Sequence, residues 1–126
     1  MTTVRALGLV AAGAAAVSIG VSAAPAQAAT SYVALGDSYS SGTGTRTYLA
    51  DGTSCQRSVY AYPSLVAAST GYSLNFRACS GAKVADVTSL QLSALSASTA
   101  YVTISVGGND AGFADVMTTC AQPAWA

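Results

Sequence analysis

Residues 31–42 read Ser31-Tyr32-Val33-Ala34-Leu35-Gly36-Asp37-Ser38-Tyr39-Ser40-Ser41-Gly42. The run from Ser31 to Leu35 is mostly apolar and has the length of a short buried strand, which Gly36-Asp37 brings to a stop. Ser38 therefore stands just past the carboxyl end of a strand. Its hydroxyl there suits a nucleophile. It equally suits a turn residue or a helix cap, the commoner use of serine after a strand. The stretch is not a G-x-S-x-G elbow, because Ser40 takes the place of the second glycine.

Working outward, Ser40 to Gly44 is rich in Ser, Gly and Thr and offers a helix start or a turn, and Arg46 to Arg57 is polar and loop-like. Tyr62-Pro63-Ser64-Leu65-Val66-Ala67-Ala68 predicts a helix with proline in its first turn, ended by Thr70-Gly71. Ser73 to Ala78 alternates apolar and polar and predicts a second strand. Val84 to Leu95 carries apolar residues at 84, 87, 90, 92 and 95, the spacing of an amphipathic helix. Tyr101 to Val106 is a β-branched strand closed by Gly107-Gly108-Asn109-Asp110, and a further helix is expected from Ala111 to about Cys120.

Strand and helix alternate three times, which argues for a parallel sheet flanked by helices. In such sheets ligands sit beyond the carboxyl ends of the strands. Three small polar loops should meet there: Gly36-Asp37-Ser38, Cys79-Ser80-Gly81 and Gly107-Gly108-Asn109. Together they hold the parts of an oxyanion site: the N–H groups of Ser38 and Gly81 and the side-chain amide of Asn109. Gly81 would let backbone approach a ligand without a Cβ in the way. Each residue also has a plain turn role. Asp37 suits orienting the amides of its turn, and Asn109 or Asp110 suits capping the next helix.

Composition narrows the chemistry. The 126 residues hold five Lys+Arg, five acids (all Asp) and no histidine. There is no basic patch for nucleic acid. The commonest general base and metal ligand is missing, and three cysteines cannot build a four-thiolate zinc site. No G-x-G-x-x-G follows the first strand and no G-K-[ST] occurs, so the signatures of nucleotide binding are lacking.

The N-terminus has the three parts of an export signal: Arg5, an Ala- and Gly-rich apolar stretch from Ala6 to about Val21, and Ala26-Gln27-Ala28 as a cleavage motif. The stretch falls short of the strongly apolar run of a membrane span. Residues 1–28 are thus expected to be a signal peptide, and residues 29–126 the exported domain, secreted and extracellular. Export permits disulfides. Cys55 pairing with Cys79 would leave Cys120 over, and three buried reduced thiols are the alternative.

Gly36-Asp37-Ser38-Tyr39-Ser40-Ser41-Gly42, the Gly81 turn and Gly107-Gly108-Asn109-Asp110 resemble the first three sequence blocks of the SGNH (GDSL-type) hydrolases, in particular the secreted actinobacterial lipases and esterases. The family's usual leucine after the nucleophile is Tyr39 here. The resemblance implies a flavodoxin-like α/β/α parallel sheet and hydrolysis of carboxylic esters, small-molecule or lipid, with no cofactor or metal. It implies Ser38 as nucleophile, with Ser38, Gly81 and Asn109 as the oxyanion hole, and it favours a Cys55–Cys79 disulfide. The family's late D-x-x-H block, which supplies the base, has no counterpart in this sequence, and three strands are found where the family has about five. The expectation is an incomplete domain, the N-terminal part of a hydrolase. A catalytically inert secreted fragment or binding module, and a carbohydrate deacetylase of the same fold, are the alternatives.

N-terminal sequencing of the secreted protein should begin at Ala29 or an immediate neighbour. A mature chain retaining Met1 would refute the cleavage site.

Overall fold

The computed structural model describes residues 28–123, so the expected signal peptide lies outside the described residues except for Ala28. Three strands, β1 (Ser31–Gly36), β2 (Ser73–Phe76) and β3 (Tyr101–Ser105), form one parallel sheet in the order β2-β1-β3. Ala34 lies opposite Phe76 on one side and Thr103 on the other, and Gly36 lies opposite Ser105. The predicted order of elements is the observed one.

β1 is central and its side chains from Tyr32 to Leu35 are all buried. A strand covered on both faces needs the near-continuous apolar run that the sequence has there. The chain leaves β1 for β2 on one side and then passes back across to β3 on the other. Parallel crossovers are almost always right-handed, a rule that puts the helices of these two connections on opposite faces of the sheet. The first crossover carries α2 (Tyr62–Thr70), with Pro63 in its first turn and Gly71 ending it in a left-handed conformation. The second carries α3 (Val84–Asp86), which runs on through a π-helical turn, Val87–Gln91, and a 3-10 turn, Leu92–Ala94. Two more helices complete the described chain: α1 (Ser38–Ser41) directly after β1, and α4 (Phe113–Cys120).

The segment after α3 departs from the expected amphipathic helix. Of its apolar positions only Val87 is buried, while Leu90 is 64% exposed and Gln91 only 4%. A π turn adds a residue to the helical turn and so rotates the side chains beyond it. Here the rotation puts the Gln91 amide, rather than the Leu90 side chain, against the sheet. β3 forms where a strand was expected, with its β-branched side chains Val102 and Ile104 exposed, as is Tyr101. β3 is an outer strand, and among the described residues nothing pairs with its far edge.

Beneath α1 lies a small polar layer. Ser40 Oγ bonds the Tyr62 hydroxyl at 3.1 Å, and Ser41 Oγ donates to the Ser38 carbonyl at 3.2 Å. Ser58 Oγ accepts from Thr45 Oγ1 at 2.9 Å and from the Tyr60 N–H at 3.0 Å. Ser40, Ser41 and Ser58 are all buried, and such groups are tolerated in the interior only when paired in this way.

Gly36 ends β1 with φ +126°, and a Cβ there would overlap the Ser105 carbonyl oxygen and stand 2.7 Å from Ser40 Oγ. Both the backbone angle and the space demand glycine. Gly36→Ala should lower stability to urea by about 3 kcal/mol or more, combining left-handed backbone strain with overpacking. A loss below about 1 kcal/mol would show that the two strands can part without cost.

Candidate active site

Parallel strands end at the same edge, so the three loops that follow β1, β2 and β3 are brought together. Backbone bonds join them. The Cys79 N–H donates to the Gly36 carbonyl at 3.0 Å, and the Asp37 N–H to the Ser105 carbonyl at 2.9 Å. The sheet's direction of growth reverses between β1 and β3, and such a switch point opens a crevice where neighbouring loops diverge. A cleft of about 350 Å³ lies there, lined by Asp37, Ser38 and Tyr39 after β1 and by Ser105, Asn109 and Phe113 from the β3 side.

Ser38 is the first residue of α1 and is half-buried. Asp37 caps the helix: its Oδ1 accepts the Tyr39 N–H at 3.0 Å. That is the turn-orienting role expected of it. The Ser38 hydroxyl and the Ser38 N–H make no hydrogen bond among the described residues. Asn109 donates one amide hydrogen from Nδ2 to the Ala82 carbonyl at 2.8 Å. A primary amide has two N–H donors, so the second remains for the cleft that Asn109 lines.

Gly81 occupies a tight turn closed by the Ala82 N–H on the Cys79 carbonyl at 3.1 Å. Its φ is +82°, and nothing stands within 4 Å of the place a Cβ would take. Glycine is required there by the backbone angle, with no crowding from the rest of the chain. Its N–H makes no hydrogen bond among the described residues. Gly81 lines a neighbouring cavity of about 500 Å³ with Arg57, Arg77 and Gln91, and is not among the residues lining the Ser38 cleft. The structure thus brings Ser38 and Asn109 to one cleft and links the Gly81 turn to it through the Asn109–Ala82 bond.

Cys55 and Cys79 form a disulfide, and Cys120 is exposed and unpaired among the described residues. The disulfide and the bond from the Ser80 N–H to the Cys55 carbonyl, 3.0 Å, tie the irregular loop before α2 to the Gly81 turn. That loop is braced by Arg57, whose Nε meets Asp51 at 2.8 Å and whose Nη1 donates to the Ala78 carbonyl at 3.3 Å. The Thr53 hydroxyl on Asp51, with Arg57 adding to it, holds the Asp51 carboxyl below its usual range.

Two functional-looking residues escape a reading of the sequence. Asp110 does not cap α4, whose N-cap is Gly112; its Oδ2 instead accepts the Val84 N–H at 3.1 Å, at the start of α3. Gln91 forms a double hydrogen bond with the backbone of Gly36: Nε2 donates to the carbonyl at 2.9 Å and Oε1 accepts the N–H at 2.8 Å. Its one visible signal was a polar side chain inside an apolar periodic segment. Among the described residues no three His, Cys, Asp or Glu side chains gather as metal ligands, and no helix is long and apolar enough to cross a membrane.

Ser38 after β1, Gly81 after β2 and Asn109 after β3 thus stand in the three loops at the carboxyl edge of a parallel α/β sheet. Residues 34–125 match the GDSL-like Lipase/Acylhydrolase family, and the chain belongs to that family. It is similar to a lipase of Streptomyces rimosus, 57% identical over 98 residues that make up 77% of this chain. Lipase 1 of Streptomyces coelicolor is 57% identical over 99 residues, 78% of this chain. The chain spans 37% of the length of both relatives. Its fold is similar to part of the solved phospholipase A1 from Streptomyces albidoflavus, with TM-score 0.70 and 53% identity over 76% of this chain and 42% of that one. The extracellular lipase structure from S. rimosus matches with TM-score 0.70 and 57% identity, over 75% of this chain and 42% of that one.

Peptide mapping of the purified protein without reduction should recover Cys55 joined to Cys79, with Cys120 alkylated or joined to a separate chain. A Cys79–Cys120 peptide would contradict the pairing.

Proposed function

We propose that this chain supplies the nucleophile and the oxyanion donors of a secreted serine esterase or lipase that cleaves carboxylic esters through an acyl-enzyme. The observation that carries the reading is a set of unspent groups at one sheet edge: the Ser38 hydroxyl, the N–H groups of Ser38 and Gly81, and the second N–H of the Asn109 amide. They face the region beyond the carboxyl ends of the strands, where ligands of such sheets lie.

In this reading Ser38 Oγ attacks the ester carbonyl carbon while its proton passes to a general base. Negative charge gathers on the former carbonyl oxygen, where the three donors stabilise it. The alcohol departs with a proton, leaving an ester on Ser38. Water then attacks that ester by the same route in reverse, releasing the acid. The base is not a histidine of this chain, since it has none. Asp37 is a weak candidate, its carboxylate being engaged in capping α1. We assign the base to the D-x-x-H block that the family resemblance implies, contributed from outside the present sequence. The relatives named lipases and a phospholipase A1 favour lipid esters. The exposed rings of Tyr39 and Phe113, both lining the cleft, give an acyl chain an apolar wall to lie against.

The test is labelling by a fluorophosphonate, read by mass spectrometry. The folded chain, held with excess reagent, should slowly take up one phosphonyl group on Ser38, since no base draws off its proton, and Ser38→Ala none. Asn109→Ala should slow labelling by about 10²-fold without unfolding, because the phosphoryl oxygen uses the same donors. Turnover of p-nitrophenyl butyrate should stay near background, since a serine hydroxyl without a base is a weak nucleophile. Brisk turnover lost in Ser38→Ala would put a base within this sequence. A folded chain that is never labelled would favour an inert pocket.

A further inference from the structure

We infer that Gln91 is a positioning residue for Ser38: its side-chain amide stands in for a missing strand at the end of β1 and fixes the backbone from which the serine is presented. The inference rests on the hydrolase reading above.

β2 pairs with β1 only from Ser31 to Ala34. Beyond that point the β2 side of β1 has no strand, yet Gly36 still turns its N–H and C=O that way, towards Cys79. Gln91 meets both groups with the pattern a neighbouring strand would offer, donor to acceptor and acceptor to donor, at 2.9 and 2.8 Å. The amide is 4% exposed, so these bonds are shielded from water. Only one orientation of the amide satisfies both; the reverse would oppose two donors and two acceptors.

The anchor matters because of where it acts. Gly36 has no side chain to hold it and sits at φ +126°, a backbone angle that only glycine adopts freely. Asp37 is held from the opposite side by the Ser105 carbonyl at 2.9 Å. Clamped between Gln91 and Ser105, the Gly36–Asp37 peptide sets the direction in which Ser38 leaves the sheet. The chain gives up burial of Leu90 and a regular helix to keep Gln91 there, and π turns of this kind recur at functional sites. Gln91 also lines the cavity that Gly81 lines, so one side chain touches the strand end and borders the donor turn.

Two substitutions at residue 91 separate positioning from mere stability. Gln91→Leu keeps the bulk and removes both bonds. It should slow phosphonylation of Ser38 by about 10-fold to 10²-fold in a protein that still melts cooperatively, as misplacement of a reacting group by a fraction of an ångström does. Gln91→Glu keeps the shape and makes the clamp depend on pH. Protonated, its carboxyl can donate to the Gly36 carbonyl and accept from the N–H; ionised, it faces that carbonyl with negative charge. Burial favours the neutral form. Asp37 at the start of α1, Arg57 and Arg77 across the cavity, and Lys83, Asp86 and Asp110 around α3 are the charged groups nearby. They are the same in the unsubstituted protein, so the ratio of labelling rates at each pH isolates position 91.

That ratio should lie near one at about pH 5 and fall by about tenfold towards pH 9, reversibly. A ratio flat in pH, or labelling in both variants within twofold of the unsubstituted chain, overturns the positioning role while leaving the hydrolase reading intact. Failure of both variants to fold assigns Gln91 to stability alone and also overturns it. Absence of label on Ser38 in the unsubstituted chain removes the hydrolase reading, and the positioning role with it.

Discussion

The Ser105 carbonyl accepts the N–H of Asp37 at 2.9 Å, and no side chain on residue 36 could stand between the two strands at that point. This contact carries the β1–β3 pairing one residue past the end of β1, into the loop that holds Ser38. It sets how closely the loops after β1 and β3 can approach, and so the width of the cleft they share. The Asn109 amide then reaches back to Ala82 and links that pair of loops to the turn after β2. A bulkier residue at 36 would separate three loops, not one.

The parts of this arrangement that were legible in the sequence are those governed by local pattern. The apolar run before Gly36 announced a central strand, and the alternation of strands and helices gave a parallel sheet whose loops converge at one edge. Glycine at 71 and 81 marked turns that do adopt positive φ. The disulfide between Cys55 and Cys79 was one of two readings, and the structure adopts it. What stayed hidden depends on partners distant in sequence. Gln91 looks like a surface residue until Gly36 is seen to lack a strand neighbour on that side. Asp110 looks like a cap for the helix it precedes, and caps α3 instead. Leu90, Val102 and Ile104 obey the apolar spacing of buried positions and are exposed, because period alone does not say which face finds a cover.

The polar layer beneath α1 belongs with the same logic. Ser40, Ser41 and Ser58 are buried where a larger apolar core would ordinarily lie, and each is hydrogen-bonded. Hydroxyl bonds are directional, so they hold a four-residue helix in one orientation that loose hydrophobic contact would not impose. Such a short helix has little cohesion of its own. Its rigidity comes from Asp37 at one end, Gly42 in left-handed geometry at the other, and the serines underneath.

The bond between Cys55 and Cys79 closes a covalent ring that contains the whole of α2 and β2. In the linear chain, the contact of Arg57 with Ala78 and that of Cys55 with Ser80 are between residues far apart in sequence. Through the ring they become near neighbours. Closing such loops is the entropic toll that slows the folding of parallel sheets, whose strands cannot meet through a short hairpin. Once oxidised, the chain no longer has to search for the β2 end of its sheet from an open coil. The ring shortens the covalent path between the end of β1 and β2, and so the loop that their pairing must close.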